Sequence, residues 1–314
     1  SLVMCLEVSW PSAMAQLLAN KVVIRSVCAF RVHARISGTK NSRQAGSYRL
    51  SPTESTQDIV KQLVSGKVAA FNLTFYPGAT LVDKTNKADK KKVDVTTILK
   101  RAGYSETEIK IALAKTYTHP LFATKPSSAD LEGYVYGQTY NFGDGTPVEA
   151  ILTRTFDEFY AQVQKNNLVD GFKKQGLSLY EGITLASIIQ REVSSSDANV
   201  PSDDQKQVAQ IFFLRLKEGV SLGSDVTYHY AADKRGVARD STLDDPYNTR
   251  IHIGLPPGPI SAPGLGALLA VANPAPGNYV FFISGDDNKT YFAHTNEEHQ
   301  QNVKNHCAIK CLLP

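Results

Sequence analysis

The chain has 314 residues, 42% hydrophobic and 20% charged, with 34 Lys and Arg against 30 Asp and Glu. That length gives a soft expectation of about two domains with ordinary cores, and the composition is neither collagen-like, low-complexity nor disulfide-dense. No run of about 18 apolar residues is present to span a bilayer as a helix, and a net charge of +4 is too mild to argue for nucleic acid.

Residues 1–70 read as a small α/β unit. A strand-like start ends at Trp10-Pro11, Ser12 is placed to cap a helix through Ala19, and a second helix covers about 26–36. Gly46–Leu50 has strand character, and Ser51-Pro52-Thr53 opens a helix that closes at Gly66. Residues 1–50 hold seven basic side chains (Lys21, Arg25, Arg31, Arg35, Lys40, Arg43, Arg49) and one acid, Glu7. Such a face favours an anionic neighbour, or is simply a solvated cationic surface. The Lys90-Lys91-Lys92 run reads as a solvated loop. Cys5, Cys28, Cys307 and Cys311 stand at the two chain ends without a CxxC pair, so zinc is not expected. They pair in an oxidising compartment or stay thiols in a reducing one. The missing start methionine suggests a fragment or processed chain, from which a signal or anchor could have been lost.

Leu73–Phe75 has strand character and runs into the turn Tyr76-Pro77-Gly78. Residues 84–130 alternate helical patterns with polar loops, as a connecting or lid-like region would. Residues 180–194, YEGITLASIIQREVS, are the most informative. Leu185, Ile188, Ile189 and Val193 recur at helical spacing, and at 100° per residue Glu192 falls between Leu185 and Ile188 on that apolar face. An ionised carboxylate there is costly, and desolvation raises its pKa toward what a general acid needs near neutral pH. The plainer alternative is a carboxylate turned to solvent at the helix end, or paired with Arg191 or Arg215.

Gln205–Lys217 is a second amphipathic helix stopped by Gly219. Residues 221–228, SLGSDVTY, read as a hydroxyl-rich loop with one carboxylate. Asp245-Pro246-Tyr247-Asn248-Thr249 follows, then Gly254-Leu255-Pro256-Pro257-Gly258-Pro259-Ile260. Three prolines in four positions exclude a helix or a central strand. They suit a rigid loop, either a structural crossover or a pre-shaped binding edge. Pro263–Ala272 reads as a short helix, Val280–Ile283 and Thr290–Ala293 as a hairpin, and Thr295 with Glu298 as the capping box of a last helix. His294 and His299 are candidate site residues, although lone histidines are usually exposed or already satisfied.

LEGYVYGQTY (131–140), LASIIQREV (185–193), LGSDVTY (222–228), PYNT (246–249), GLPPGPISAPG (254–264) and YFAHTNEEH (291–299) occur in this order. The set resembles the endolytic murein transglycosylase family, also called YceG-like, over about residues 70–305. The resemblance implies an α+β fold: a small LysM-like α/β subdomain at 1–70, a connecting or lid region at 71–130, a mixed helical and antiparallel-strand catalytic domain at 131–305 and a tail at 306–314. It also implies a lytic transglycosylase that cuts the MurNAc–GlcNAc bond within peptidoglycan strands and leaves 1,6-anhydro ends. The family's catalytic acid falls on Glu192. Position 190, often acidic in the family, is Gln here and lies off the apolar face, so it is expected to be dispensable. Gly137-Gln138 stands where relatives commonly have Pro-Asp.

Ser224, Asp225, Thr227, Tyr247, Asn248 and the loop Gly254, Leu255, Pro256, Pro257 and Gly258 are expected to line the cleft or orient substrate. Acid–base work by one carboxyl needs no metal or organic cofactor. Two alternatives stand beside this reading: a lysozyme-like hydrolase that adds Asp225 as second carboxylate, and a non-catalytic peptidoglycan-binding scaffold. The implied partners are glycan strands and the strand-synthesising machinery. No basic/aromatic motif argues for nucleic acid. The resemblance further implies the outer face of the cytoplasmic membrane, through an N-terminal anchor helix not contained in this sequence.

Overall fold

The computed structural model describes residues 2–5, 11–36, 46–65, 70–82, 94–193 and 195–312. Trp10, Lys40, Arg43, Gly66 and Lys90–Lys92 lie outside the described residues, as do the side chains of Cys5, Ser12 and Arg49. Two compact units form: Ser1–Leu73 with Thr139–Pro147, and Thr74–Gln138 with Val148–Pro314.

In the first unit, β1 (Leu2–Cys5) pairs antiparallel with β2 (Gly46–Arg49) in the register Leu2↔Arg49. Helices α1 (Pro11–Asn20), α2 (Val27–Ile36) and α3 (Thr56–Ser65) bury Leu18, Phe30, Ile59 and Leu63 in one cluster. Helix α3 starts later than the sequence predicts. Ser51 closes a local turn, with its Oγ accepting from Thr53 N at 3.3 Å, and Ser55 takes the capping role by accepting from Asp58 N at 3.1 Å. Strand β3 (Ala70–Thr74) pairs with β4 (Thr139–Gly143), so the chain returns to this unit after residue 138.

The second unit is mainly helical. It contains α4 (Val95–Arg101), α5 (Glu106–Ala114), α6 (Val148–Lys165), α7 (Leu168–Lys174), α8 (Leu179–Glu192), α9 (Asp203–Glu218), α10 (Asp225–Arg235), α11 (Leu265–Ala272) and α12 (Asn296–His306). Serines begin three of these helices with reciprocal capping boxes: Ser105 with Glu108, Ser178 with Glu181, and Ser202 with Gln205. Helix α8 is the centre of the unit. Ten of its residues are buried, with α7, α9, α10 and α11 packed against it. Strands β5 (Phe281–Ser284) and β6 (Thr290–Ala293) form the expected antiparallel hairpin, with Phe282 opposite Phe292. Cys307 and Cys311 are disulfide-bonded and Cys28 is an exposed thiol.

Helices α6 and α7 have no counterpart in the sequence reading. Residues 225–228 correct it, because they form the first turn of α10 and not a loop; Gly236 in the left-handed region closes that helix. Among the described residues no helix is long and apolar enough to cross a membrane.

Candidate active site

Glu192 is the last residue of α8. Val193 ends the helix in an extended conformation and is itself buried, as are Leu185, Ile188 and Ile189. The carboxyl group therefore leaves the helix on the apolar side and remains partly exposed. Burial pushes its pKa up to about 7. The Ser224 hydrogen bond opposes that rise, the charge of Asp225 adds to it, and the cations of Arg191 and Arg215 pull it back. Near neutral pH such a group is about half protonated, as an acid that later serves as a base must be.

Ser224 Oγ donates to Glu192 Oε1. Ser224 stands at the N-cap of α10, yet its side chain caps nothing there, unlike the serines of α5, α8 and α9. The hydroxyl that would hold a helix end is turned to the carboxylate instead, a local loss of about 1 kcal/mol of capping. Two buried threonines hold Ser224 in place. Its N donates to Thr249 Oγ1 at 3.3 Å, Thr227 Oγ1 lies 2.9 Å from Thr249 Oγ1, and Thr227 Oγ1 donates to Ser224 O at 2.7 Å.

Arg215 supports the same segment from α9. It donates to Leu222 O, two residues before Ser224, and to Val280 O at 2.9 Å. Among the described residues Arg191 and Arg215 act on Glu192 through charge and not as ion-pair partners.

The other nominated residues divide by task. Asp225 is exposed and ion-paired with Arg250. Asn248 is fully buried: its Nδ2 donates to Ser241 O at 3.0 Å and Leu243 O at 2.9 Å, and its Oδ1 accepts from Arg250 N at 3.0 Å. It holds the 241–250 loop in shape. The Tyr247 ring lies 5.0 Å from that of Tyr230, with Lys234 Nζ 5.4 and 5.5 Å from the two ring centres. His294 and His299 sit with the hairpin aromatics, His294 at 4.4 Å from Tyr279 and His299 stacked at 5.0 Å on Phe281.

The Pro/Gly loop follows α8 from its first turn to its last. Tyr180 OH donates to Pro257 O at 2.9 Å, Ile260 N to Ser187 Oγ at 2.9 Å, and Gly264 N to Gln190 Oε1 at 2.8 Å. Gln190, expected to be dispensable, anchors the end of this loop through that bond. The 131–140 segment braces the loop from outside: Gly133 has φ +85°, and a Cβ on it would fall 2.4 Å from Pro259 Cβ. At Gly137 a Cβ would fall 2.5 Å from Pro77 N, so glycine there permits a closer approach than any side chain would.

The sequence reading assigned no role to Glu132, although an acid inside the apolar LEGYVYG run was a visible signal. It is buried, accepts from Leu81 N at 3.1 Å and from Tyr230 OH at 3.2 Å, and burial with the nearby Asp130 charge pushes its pKa up to about 7. Among the described residues no group of three His, Cys, Asp or Glu side chains is arranged to hold a metal.

The model of the YceG-like family matches residues 9–305. The chain is 29% identical over 316 residues to the endolytic murein transglycosylase of Bacillus subtilis (strain 168), covering 95% of this chain and 82% of that one. The endolytic murein transglycosylase of Streptococcus pneumoniae (strain D39) is also 29% identical, over 292 residues, and the chain spans about half of its length (51%). The crystal structure of a yceG-like protein from Listeria monocytogenes aligns with a TM-score of 0.52 at 30% identity, covering 96% of this chain and 98% of the other.

Proposed function

The chain belongs to the YceG-like family, and from that premise we propose that it is an endolytic murein transglycosylase in which Glu192 is both acid and base. Relatives that carry this name in two genera support the general activity. The observation that supports the chemistry is a single half-protonated carboxyl, partly open to solvent and oriented by Ser224.

In the first step protonated Glu192 gives its proton to the glycosidic oxygen between N-acetylmuramic acid and N-acetylglucosamine. The C1–O bond breaks through an oxocarbenium-like transition state, and the leaving sugar departs as an alcohol. In the second step the Glu192 carboxylate removes the proton of the muramyl C6 hydroxyl as that oxygen bonds to C1. The product is a 1,6-anhydro ring and Glu192 regains its proton, so no water is consumed. The attacking hydroxyl belongs to the same sugar, and its proximity stands in for a second protein carboxylate. Ser224 stabilises the ionised form between the steps, while Arg215, Thr227, Thr249 and Asn248 act as positioning residues behind it.

A murein substrate implies work outside the cytoplasmic membrane, and the Cys307–Cys311 disulfide suits such an oxidising compartment. The test is product analysis with Glu192→Gln. Wild type should release anhydro-muramyl ends, and the variant should be slower by about 10²–10⁴-fold, the usual weight of a general acid. Reducing ends from the wild type would establish hydrolysis, with Asp225 as the candidate second carboxylate. Unchanged cleavage by E192Q would remove Glu192 from the chemistry, and binding to murein without cleavage by either form would establish a scaffold.

A further inference from the structure

Helix α10 begins beside the serine that holds Glu192. Asp225, His229 and Asp233 follow on it at spacings of four, along one face. The acids at the two ends of that face are already taken. Asp225 is ion-paired with Arg250, and Asp233 accepts from Arg239 Nε at 3.0 Å and from Arg239 Nη2 at 2.8 Å. His229 stands between them, about 6 Å along the axis from Asp225, with its ring edge-on to that of Tyr228 at 4.5 Å.

Arg191 meets this face from the end of α8, where it immediately precedes Glu192. Burial holds its guanidinium below the ordinary arginine range, and the charges that act on it are those of Asp233, Arg239, Glu132 and Glu192. His229 in turn feels Arg239, Asp225, Arg191 and Asp233. Among the described residues neither Arg191 nor His229 has a hydrogen-bond or ion-pair partner, and both side chains are partly open to solvent. The nearby acids are occupied elsewhere: Glu132 accepts from Leu81 N and Tyr230 OH, and Glu192 from Ser224. Arg191 is therefore the cation of this group without a counter-ion. Leaving a partly desolvated charge unpaired is unfavourable, and the N–H fork of a guanidinium matches the two oxygens of a carboxylate. Burial, more than any neighbouring charge, holds the His229 imidazole below its ordinary pKa, so at neutral pH it is uncharged and offers one N–H.

We propose that Arg191 and His229 form a carboxylate-recognition site that reads the side arm of the muramyl sugar whose bond Glu192 attacks. The proposal rests on the function argued above. The two sugars of the murein repeat differ in the lactyl ether that muramic acid carries on O3. That ether ends in a carboxylate, or in a peptide arm with carboxylates of its own. Arg191 takes the two oxygens through paired N–H bonds, and His229 donates a third. Because the contact exists on only one sugar of each pair, it sets which of the two alternating bonds comes to the acid.

The experiment measures kcat and KM for wild type, Arg191→Gln, Arg191→Lys and His229→Phe at about pH 5.5, where Glu192 is mostly protonated and the loss of a nearby cation does not change its charge. The substrates are strands with peptide arms, strands stripped to the lactyl carboxylate, and both kinds with their carboxylates converted to neutral amides. Melting in parallel checks that the variants stay folded. R191Q is expected to raise KM on carboxylate strands about 10–100-fold, the weight of a charge-assisted pair. R191K should recover part of this, since an ammonium keeps the charge without the fork, and H229F should raise KM about 3–10-fold. Amidation should raise the wild-type KM as far as R191Q does and leave that of R191Q in place. Loss on stripped strands alone assigns the lactyl carboxylate, and loss on peptide-bearing strands alone assigns the peptide's; either supports the site. Equal losses on carboxylate and amidated strands, or no loss on the former, overturn it and leave the transglycosylase reading intact. Reducing ends from the wild type overturn that reading while the KM pattern still decides the site, and no cleavage by the wild type overturns both.

Discussion

Replacing Ser224 by alanine removes one hydrogen bond from Glu192 and little else. A hydrogen bond to a charged group contributes about 1.5–3 kcal/mol, against about 1 kcal/mol for a neutral pair, so the ionised carboxyl loses about 1 kcal/mol more than the protonated one. At 1.36 kcal/mol per unit this raises the pKa by roughly one, from about 7 toward about 8. Because the acid must carry its proton to act, the falling limb of the pH–rate profile moves to higher pH in Ser224→Ala. At pH 8 the protonated fraction goes from about one-tenth to about one-half, so the variant retains roughly five times more of its own maximum than wild type does. The low-pH plateau itself is expected to drop, since the acid is less well oriented. The assay is release of anhydro-muramyl products between pH 5 and 9, with melting followed in parallel. Ser224 caps no helix, so the stability S224A loses should be that of the Glu192 bond alone, about 1–3 kcal/mol, while Ser178→Ala should lose about 1 kcal/mol with its capping box. A falling limb that stays in place, or moves down, would refute the assignment of this bond as the one that holds Glu192 ionised.

Two further outcomes concern the scaffold. Glu132 titrates at about 7 in the folded chain against an ordinary 4.5, so the native state binds the extra proton between those values. Its stabilising contribution is fully present below about pH 4.5 and is lost as pH rises through about 7. Denaturant unfolding of Glu132→Gln should therefore show a smaller stability loss from pH 5 to 8 than wild type, by about 3 kcal/mol at most; parallel pH dependences would contradict this. Gly182→Ala would put a Cβ 2.2 Å from the buried Phe172 ring. Overpacking of about 1–3 kcal/mol exceeds the roughly 1 kcal/mol gain in helix propensity, so the melting temperature should fall, and a rise would mean that Phe172 yields freely.

How far the fold was legible depended on the range of the interactions that make it. The starts of α8 and α9 and the β5–β6 hairpin rest on local chemistry: Ser178 with Glu181, Ser202 with Gln205, and a polar turn at 285–289. The helices were read from their apolar periodicity and the hairpin from its strands, while the two serine boxes went unread although each lies within four residues, so α9 was started at Gln205 and not at Asp203. Helix α10 was read as a loop because Ser224 has Thr227, not Glu or Gln, three residues on to complete a capping box; its hydroxyl faces Glu192, a contact made 32 residues away. Glu192 was legible as an acid on an apolar stripe, since helical periodicity reports which face a residue occupies. Glu132 also showed as an acid in an apolar run, but its role was not legible, because its partners Leu81 and Tyr230 are 51 and 98 residues distant. Periodicity also placed Gln190 off the core face, yet could not foresee the backbone N–H of Gly264 that it meets there.

That last contact separates two duties that a carboxylate at position 190 would have combined. Gly264 N requires only an acceptor oxygen, here at 2.8 Å, and both an amide and a carboxylate supply one. A glutamate would also add a negative charge two residues from Glu192, pushing its pKa higher and delaying release of the base needed for ring closure. With glutamine the loop leading into α11 is moored to α8 at no electrostatic cost to the acid. Position 190 is thus a point at which the working pH of Glu192 can be retuned by exchanging one oxygen for one nitrogen, with the surrounding architecture left as it stands.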